Sequence, residues 1–417
     1  MRSGAVRVNL DSTSPSAPAA LSATSGDSST RLQWRAANDT NGVAGYHVFR
    51  ATAAGGPYTQ VTSRLVTATA YRDVGLPAGT YFYQVVAVDS TGNPGPASNE
   101  ASAAATVGGD LSGLNGTIYF ENDDNVISVR EVAGGTPRTI APGQSPNPTA
   151  DGQRLFYIHE NNLIVRNLAN GAAQTLYTYT DGLSNLDMAA DGNSYVALHQ
   201  EFLAAPGVPG GTCFTFDIKL RTITPAVETF RTNNDLHTRV TLADDKLFIA
   251  STNAGFCTTV AIDSFTPPKL CITSVARQVE TCLTDTKYED PKFAPNSRTL
   301  VFVANFSGQP ELWKARVGDD STLSNFTQLT RSPANQPVAM PNWSSDGNWI
   351  VFARDVDPAA GKPTRYELFA VRSDGDRLRA LGISGKDPAP AWVGSGPPGQ
   401  STANLTPQVY VSLVRKP

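Results

Sequence analysis

Between residues 14 and 107, apolar side chains recur at every second position in short runs separated by clusters of Gly, Pro, Asn, Asp and Ser. The clearest run is TYFYQVVAVD, in which Tyr81, Tyr83, Val85 and Ala87 alternate with Phe82, Gln84, Val86 and Val88. RLQW, ending in Trp34, and GYHVFR, around Tyr46 and Val48, follow the same rule. Period two identifies β-strands with one buried face. Their turn spacing predicts a seven-stranded sandwich.

After the glycine-rich joint VGGDLSGLNG the pattern changes to a repeat. PNPTADGQRLFYIHE begins at Pro146, LDMAADGNSYVALHQ at Leu186 and RVTLADDKLFIAST at Arg239. PKFAPNSRTLVFVAN follows at Pro291, PNWSSDGNWIVFARD at Pro341 and a partial copy, PAWVGSG, at Pro390. The copies lie about 40 to 50 residues apart, the period of a propeller blade. In each, the proline and aromatic end an inner strand, Asp-Gly or its substitute makes the turn, and a Val/Ile/Phe burst forms the next strand. That burst is apolar at consecutive positions, so it is expected to be buried on both faces between neighbouring blades. A second alternating pair, such as KLCITSVARQVETCLT or ELFAVRSDGDRLRALG, completes four strands.

The ends of the repeat region complement each other. Residues 116–142, GTIYFENDDNVISVREVAGGTPRTIAP, supply three strands with no inner strand before them, and DPAPAWV supplies an inner strand with nothing after it. Joined, they make a sixth blade and close the ring, which removes the exposed edges. The expected fold is all-β: a sandwich followed by a six-bladed propeller whose carboxy-terminal strand closes the first blade. The expected segments are an arm at 1–13, the sandwich at 14–107, a linker at 108–115, the propeller at 116–393 and a linker with a terminal strand at 394–417.

Two families share these motifs. SAPAALSA, RLQW, VAGYHVFR and GLPAGTYFYQVVAVDSTGNPGPASN together resemble a bacterial fibronectin type III domain along its whole length. The resemblance assigns Trp34 to the core and Tyr81 to the tyrosine corner, and implies a spacer or adhesion module; the family's Arg-Gly-Asp loop is absent. The propeller resembles the six-bladed TolB-like family, whose repeat reads Pro, any residue, Trp or Phe, Ser, Pro, Asp, Gly. The match spans 116–393, is strong in the fifth and sixth copies, and is weak in the fourth, where Thr241 is read at the aromatic position.

At 417 residues the chain exceeds the roughly 250 to 300 at which single cores divide. A hydrophobic share of 40% is ample for packed cores. The net charge of -4 offers no basic field for nucleic acid. No apolar stretch approaches the roughly 18 residues of a membrane span. The opening MRSGAVRVNLDSTSPSAP lacks the apolar core of a signal peptide, so either a leader has been removed or Met1 is not the native start.

Cys213, Cys257, Cys271 and Cys282 cluster without CxxC spacing or a nearby His, which disfavours zinc and haem. Two disulfides, and hence an oxidising compartment, fit better than four buried cytosolic thiols. CITSVARQVETC reads as a hairpin turning near Ala276 and Arg277, which sets Cys271 opposite Cys282. Cys213 with Cys257 follows by elimination.

Chemistry is sparse. The four histidines, His47, His159, His199 and His237, have no recognisable nucleophile motif nearby. HEN at 159 is not the HExxH zinc helix, and GISGKD lacks phosphate-loop spacing. The propeller resemblance also extends to prolyl-oligopeptidase-like gate domains and pectin-fragment lyases, but a hydrolase domain and a metal-binding His cluster both lack counterparts. The expectation is therefore a protein that is not an enzyme.

The remaining candidate site is the channel mouth, lined by residues read as lying just before each inner strand: Ser145, Asn185, His237, Glu289, Asp290 and Asp387. Three carboxylates there could hold Ca²⁺ or a cationic or sugar ligand, and are otherwise solvated or cap neighbouring blades. Glu121, Asp123 and Asp124 in ENDDN form a second candidate Ca²⁺ loop, read against a plain polar hairpin. No other cofactor is expected.

AVRVN at 5–9 and QVYVSLVRKP at 408–417 alternate like strands outside both domains. Val6, Val8, Val409, Val411 and Leu413 are the candidates for pairing with another subunit, which would propagate a homopolymeric filament by strand addition. Folding back on the parent chain is the alternative. The functional expectation is an extracellular or cell-surface protein for adhesion or assembly, with other subunits or extracellular polymers as partners. The alternatives are a carbohydrate-binding or lyase-like propeller and a periplasmic partner-binding propeller.

Overall fold

The computed structural model describes residues 12–106, 114–122, 124–180, 182–204, 212–231, 235–256, 268–357, 365–385 and 388–394, with the backbone alone at 200–204, 212–216, 231, 235–238 and 253–256. It is all-β, and among the described residues no helix is long and apolar enough to cross a membrane.

The amino-terminal domain is one sheet curled into a sandwich. Ala70–Val74, Ser29–Arg35 and Ala19–Asp27 pair antiparallel, and Ala19–Asp27 turns the corner by pairing parallel with Ala101–Thr106. From there the order runs through Gly79–Asp89 and Val43–Ala51 to Thr59–Gln60. The alternation in Gly79–Asp89 buries Tyr81, Tyr83, Val85 and Ala87 against Trp34, Tyr46 and Val48. Trp34 and Tyr46 meet edge to face at 5.3 Å. The Tyr81 hydroxyl donates to Pro77 O at 3.1 Å.

The rest is a six-bladed propeller. The second blade is Gln144–Pro148, Arg154–His159, Asn162–Asn167 and Ala173–Thr178; the fifth is Tyr288–Phe293, Thr299–Ala304, Glu311–Val317 and Leu323–Gln328; the sixth is Val338–Trp343, Trp349–Asp355, Tyr366–Arg372 and Arg379–Gly385. The third (Gly182–Met188, Ser194–Ala204, Thr212–Thr222, Val227–Arg231) and fourth (Asp235–Leu242, Phe248–Phe256, Lys269–Ser274, Val279–Leu283) join through a single parallel pairing, Phe216 with Leu236. In the second strand of the sixth blade, Ile350 and Phe352 pack on Val301 and Val303 of the fifth, while Val351 and Ala353 pack on Ile118 and Phe120 of the first. Both faces are core, as the unbroken apolar run requires.

Ring closure follows the complementary ends. Ala391–Val393 pairs antiparallel with Thr117–Glu121, setting Ala391 against Tyr119 and Trp392 against Ile118. The Trp392 indole donates to Asn115 O at 3.2 Å. The seam is so close that a Cβ at Gly116, φ 107°, would lie 2.1 Å from Val393 O. Glycine is required there by both torsion and space.

The sandwich is docked on the rim of the fifth and sixth blades. Asp376 accepts from Asp27 N at 3.1 Å and Ser29 Oγ at 2.9 Å, and Arg379 pairs with Asp27. Arg331 donates to Val61 O at 2.9 Å, and its own carbonyl would lie 2.2 Å from a Cβ at Gly75. Arg64 lies over the rings of Phe306 and Phe326, 4.4 and 4.6 Å from their centroids, and pairs with Asp285 at 2.6 Å. Tyr71 packs half-buried on the sandwich core, and desolvation with the Asp73 carboxylate lifts its phenol to about 12 against the pull of Arg331.

Candidate functional site at the channel mouth

Five of the six inner strands carry a register shift near the mouth, and in four of them a residue within it has a left-handed backbone, as does Ala389 just before Ala391–Val393. Those residues are Ser145, Asn185, Asp290, Met340 and Ala389, with φ of 54°, 49°, 47°, 52° and 21°. The bulge re-aims the chain so that the residue two positions later turns towards the axis. Ser145, Asn185, Asp290 and Met340 thus lie within the inner strands, at the bulge, rather than before them, while Ala389 stands before Ala391–Val393.

The mouth opens on a cavity of about 190 Å³, lined among others by Glu121, Ser145, Asn185, Arg239, Asp290 and Met340. Its polar groups fasten blade to blade. Asn185 Oδ1 accepts from Val240 N at 2.7 Å, and Asp290 accepts from Arg239 Nε at 2.9 Å and Met340 N at 2.8 Å. Glu121 accepts from Ser145 N. Glu289 turns instead to Lys287, 2.8 Å away, and is not among the residues lining the cavity. The structure therefore does not converge Glu289 with Asp290. The side chain of His237 and all of Asp387 lie outside the described residues.

In ENDDN, Asn122 Oδ1 accepts from Asp124 N and Val126 N, both at 3.1 Å, and holds a hairpin turn. Asp124 is exposed there, while Asp123 lies outside the described residues. Among the described residues the one tight group of metal-type side chains is Cys271, Glu280 and Cys282, and its cysteines are bonded to each other. They stand directly opposite in the hairpin Lys269–Ser274 and Val279–Leu283. Cys257 and the side chain of Cys213 lie outside the described residues, as do Val6, Val8, Val409, Val411 and Leu413.

A second belt, which the sequence reading missed, lies between this cavity and a second channel cavity: its Asn147, Lys292 and Asn342 line both. It consists of Asn147, Asp187, Thr241, Lys292 and Asn342, the position left as any residue between proline and aromatic in the repeat. Lys292 of the fifth blade reaches past the fourth to Asp187 of the third. Asp187 also accepts from Thr241 Oγ1 at 2.7 Å and Leu242 N at 2.9 Å, and Thr241 Oγ1 in turn accepts from Phe293 N at 3.1 Å. Asn147 donates to Leu186 O at 3.0 Å and accepts from Met188 N at 3.3 Å. The pairings correct the fourth copy by one residue. Thr241 pairs with Ala250 as Asn342 pairs with Val351, so the aromatic position belongs to Leu242. The missed signal was there: five of the six residues at the variable position are polar.

No family model matches the chain. Curated relatives align over part of it: chitinase C of Streptomyces lividans is 42% identical over 98 residues, 23% of this chain and 14% of that enzyme. An amylopullulanase of Thermoanaerobacterium thermosulfurigenes is 30% identical over 145 residues, 34% of this chain. The chain spans only 8% of that amylopullulanase. Among solved structures, TolB from Acinetobacter baumannii is similar at a TM-score of 0.49 and 14% identity, over 76% of this chain and 83% of that one. The chain is thus a six-bladed β-propeller with TolB-like structural neighbours, preceded by a curled β-sandwich.

Proposed function

We propose that this is a non-enzymatic protein of an extracytosolic compartment, acting in adhesion or assembly. One observation carries the reading: the acidic groups of the channel mouth are spent on the architecture. Asp187 and Asp290 each accept from a neighbouring blade's backbone and from a cation, so their oxygens are engaged in holding blade to blade. The docked sandwich adds a second module to the ring, as a spacer would. Its Trp34 core and Tyr81–Pro77 bond fit a fibronectin type III module. The disulfide fits secretion or the periplasm. Terminal strand addition supplies the assembly mode.

Electron microscopy and particle sizing of the full chain, beside a variant lacking residues 405–417, test the reading. Fibres that vanish with the deletion support it; identical particles in both remove strand addition. Metal-dependent cleavage of an acidic polysaccharide, lost in Asp290→Ala, would replace it with an enzyme. A carbohydrate-binding role is the second reading, favoured by the partial alignment to a chitinase and an amylopullulanase. Co-sedimentation with insoluble chitin and starch measures it directly.

A further inference from the structure

A third cavity is separate from the channel. It is a cleft of about 570 Å³ between the first and second blades, and it shares no lining residue with the two channel cavities. Tyr119, Glu131, Thr136 and Arg138 of the first blade face Arg166 and Asn170 of the second. Arg138 is exposed and Arg166 half-buried, and neither forms an ion pair among the described residues. Other arginines, such as Arg31 and Arg35, also stand without an ion pair among the described residues; what joins Arg138 and Arg166 is that both line this one cleft. The one acid of the cleft, Glu131, accepts from Thr117 Oγ1 at 3.1 Å. Burial raises the Tyr119 phenol and Arg138 draws it back down, and burial likewise raises the Tyr157 phenol against Arg166. Each guanidinium thus stands beside a neutral phenol.

We propose that this cleft binds a carboxylated polysaccharide. A planar guanidinium fork matches a carboxylate with two parallel hydrogen bonds. Two forks on opposite walls suit monoanionic groups spaced along a chain, whereas Glu131 on the same rim repels a compact dianion more strongly. Thr136 and Asn170 offer hydroxyl and amide partners for sugar hydroxyls, and the volume suits a short saccharide stretch. The proposal rests on the adhesion reading above and gives it a ligand class.

The test is calorimetric titration of the full chain with polygalacturonate at low and high salt. Variants are Arg138→Gln, Arg138→Lys and Arg138→Gln/Arg166→Gln, with Arg35→Gln as a charge-matched control on the sandwich. Each lost bidentate contact is expected to weaken binding roughly tenfold, and the double change about a hundredfold. Arg138→Lys should fall between, Arg35→Gln should match the parent, and salt should weaken the parent most. Thermal melts of Arg138→Gln, an exposed change, establish that the loss is not unfolding. No binding by the parent, equal binding by the double variant, or displacement by inorganic phosphate at matched anion concentration would each overturn the proposal. Particle assembly is read separately, so the cleft can fail while the adhesion reading stands.

Discussion

The fifth and sixth blades and the third and fourth solve the same problem by different chemistry. In the former pair, proline follows the left-handed residue and an aromatic seals the blade: Trp343 is buried and its indole donates to Lys292 O at 3.0 Å. In the latter, Leu186 and Val240 replace the prolines and Met188 and Leu242 the aromatics. Attachment there passes to the Asp187, Thr241 and Lys292 network and to second strands of 11 and 9 residues, against 6 and 7 in the other pair. The repeat motif is therefore one way to hold a blade, and a buried polar latch is another.

The largest effects should come from cutting each device at its centre. Trp343→Ala removes a buried indole and should cost about 3–5 kcal/mol in denaturant unfolding. Trp343→Phe, which loses the hydrogen bond and some area, should cost roughly 1–2 kcal/mol. Asp187→Ala should cost about 3–5 kcal/mol by stranding the Lys292 ammonium, but Asp187→Leu with Lys292→Met should recover most of it. If Asp187→Ala is silent, the polar latch is not what replaces the aromatic.

Next comes the disulfide of the fourth blade. Cys271→Ser/Cys282→Ser opens a cross-link with a sequence separation of 11 and should cost about 2–3 kcal/mol under oxidising conditions, and nothing once the parent is reduced. Asn185→Ala removes one acceptor for Val240 N and should cost roughly 1 kcal/mol.

The smallest contrast is with pH. Burial raises the phenols of Tyr179, which follows the second blade and packs on His199 and Tyr195 of the third, and of Tyr288 in the fifth. A raised phenol contributes stability that is fully present below the unfolded value of about 10 and is lost as pH rises through the folded value. Both pairs of blades should thus weaken together on the alkaline side. At low pH the third blade should respond through Asp191. Partial burial opposes its ionisation, but the Lys246 ammonium and the amides of Ser194 and Asn193 outweigh that and hold it well below the usual carboxylate range. That contribution is present above about pH 4 and disappears as pH falls further. Melting midpoints between pH 2 and 11, with Asp191→Asn as reference, measure both limbs.

Much of the fold was legible because burial writes period two into a strand and writes a continuous apolar run where both faces are covered. Tyr81, Tyr83 and Val85 announced one buried face, and Ile350 to Ala353 announced two. The complementary ends predicted the seam at Trp392, since a lone inner strand needs a sheet that lacks one. The site was less legible. Asp290 and Asn185 line the mouth cavity, and their engagement by Arg239 and Val240 was not legible, because those partners lie on other blades more than 50 residues away. The one-residue error at Thr241 arose where a conserved-looking aromatic had become leucine and the pattern lost its marker.

The sequence by itself determined the strand content, the number of blades, the manner of ring closure and the Cys271–Cys282 hairpin, all of which depend on local periodicity and turn chemistry. The tertiary structure alone decided that the variable position of the repeat faces the axis, that Lys292 spans to Asp187, and that the sandwich is pinned to the rim. The reason is geometric: a bulge rotates a side chain by an amount no spacing records, and electrostatic partners are chosen by proximity across blades rather than along the chain.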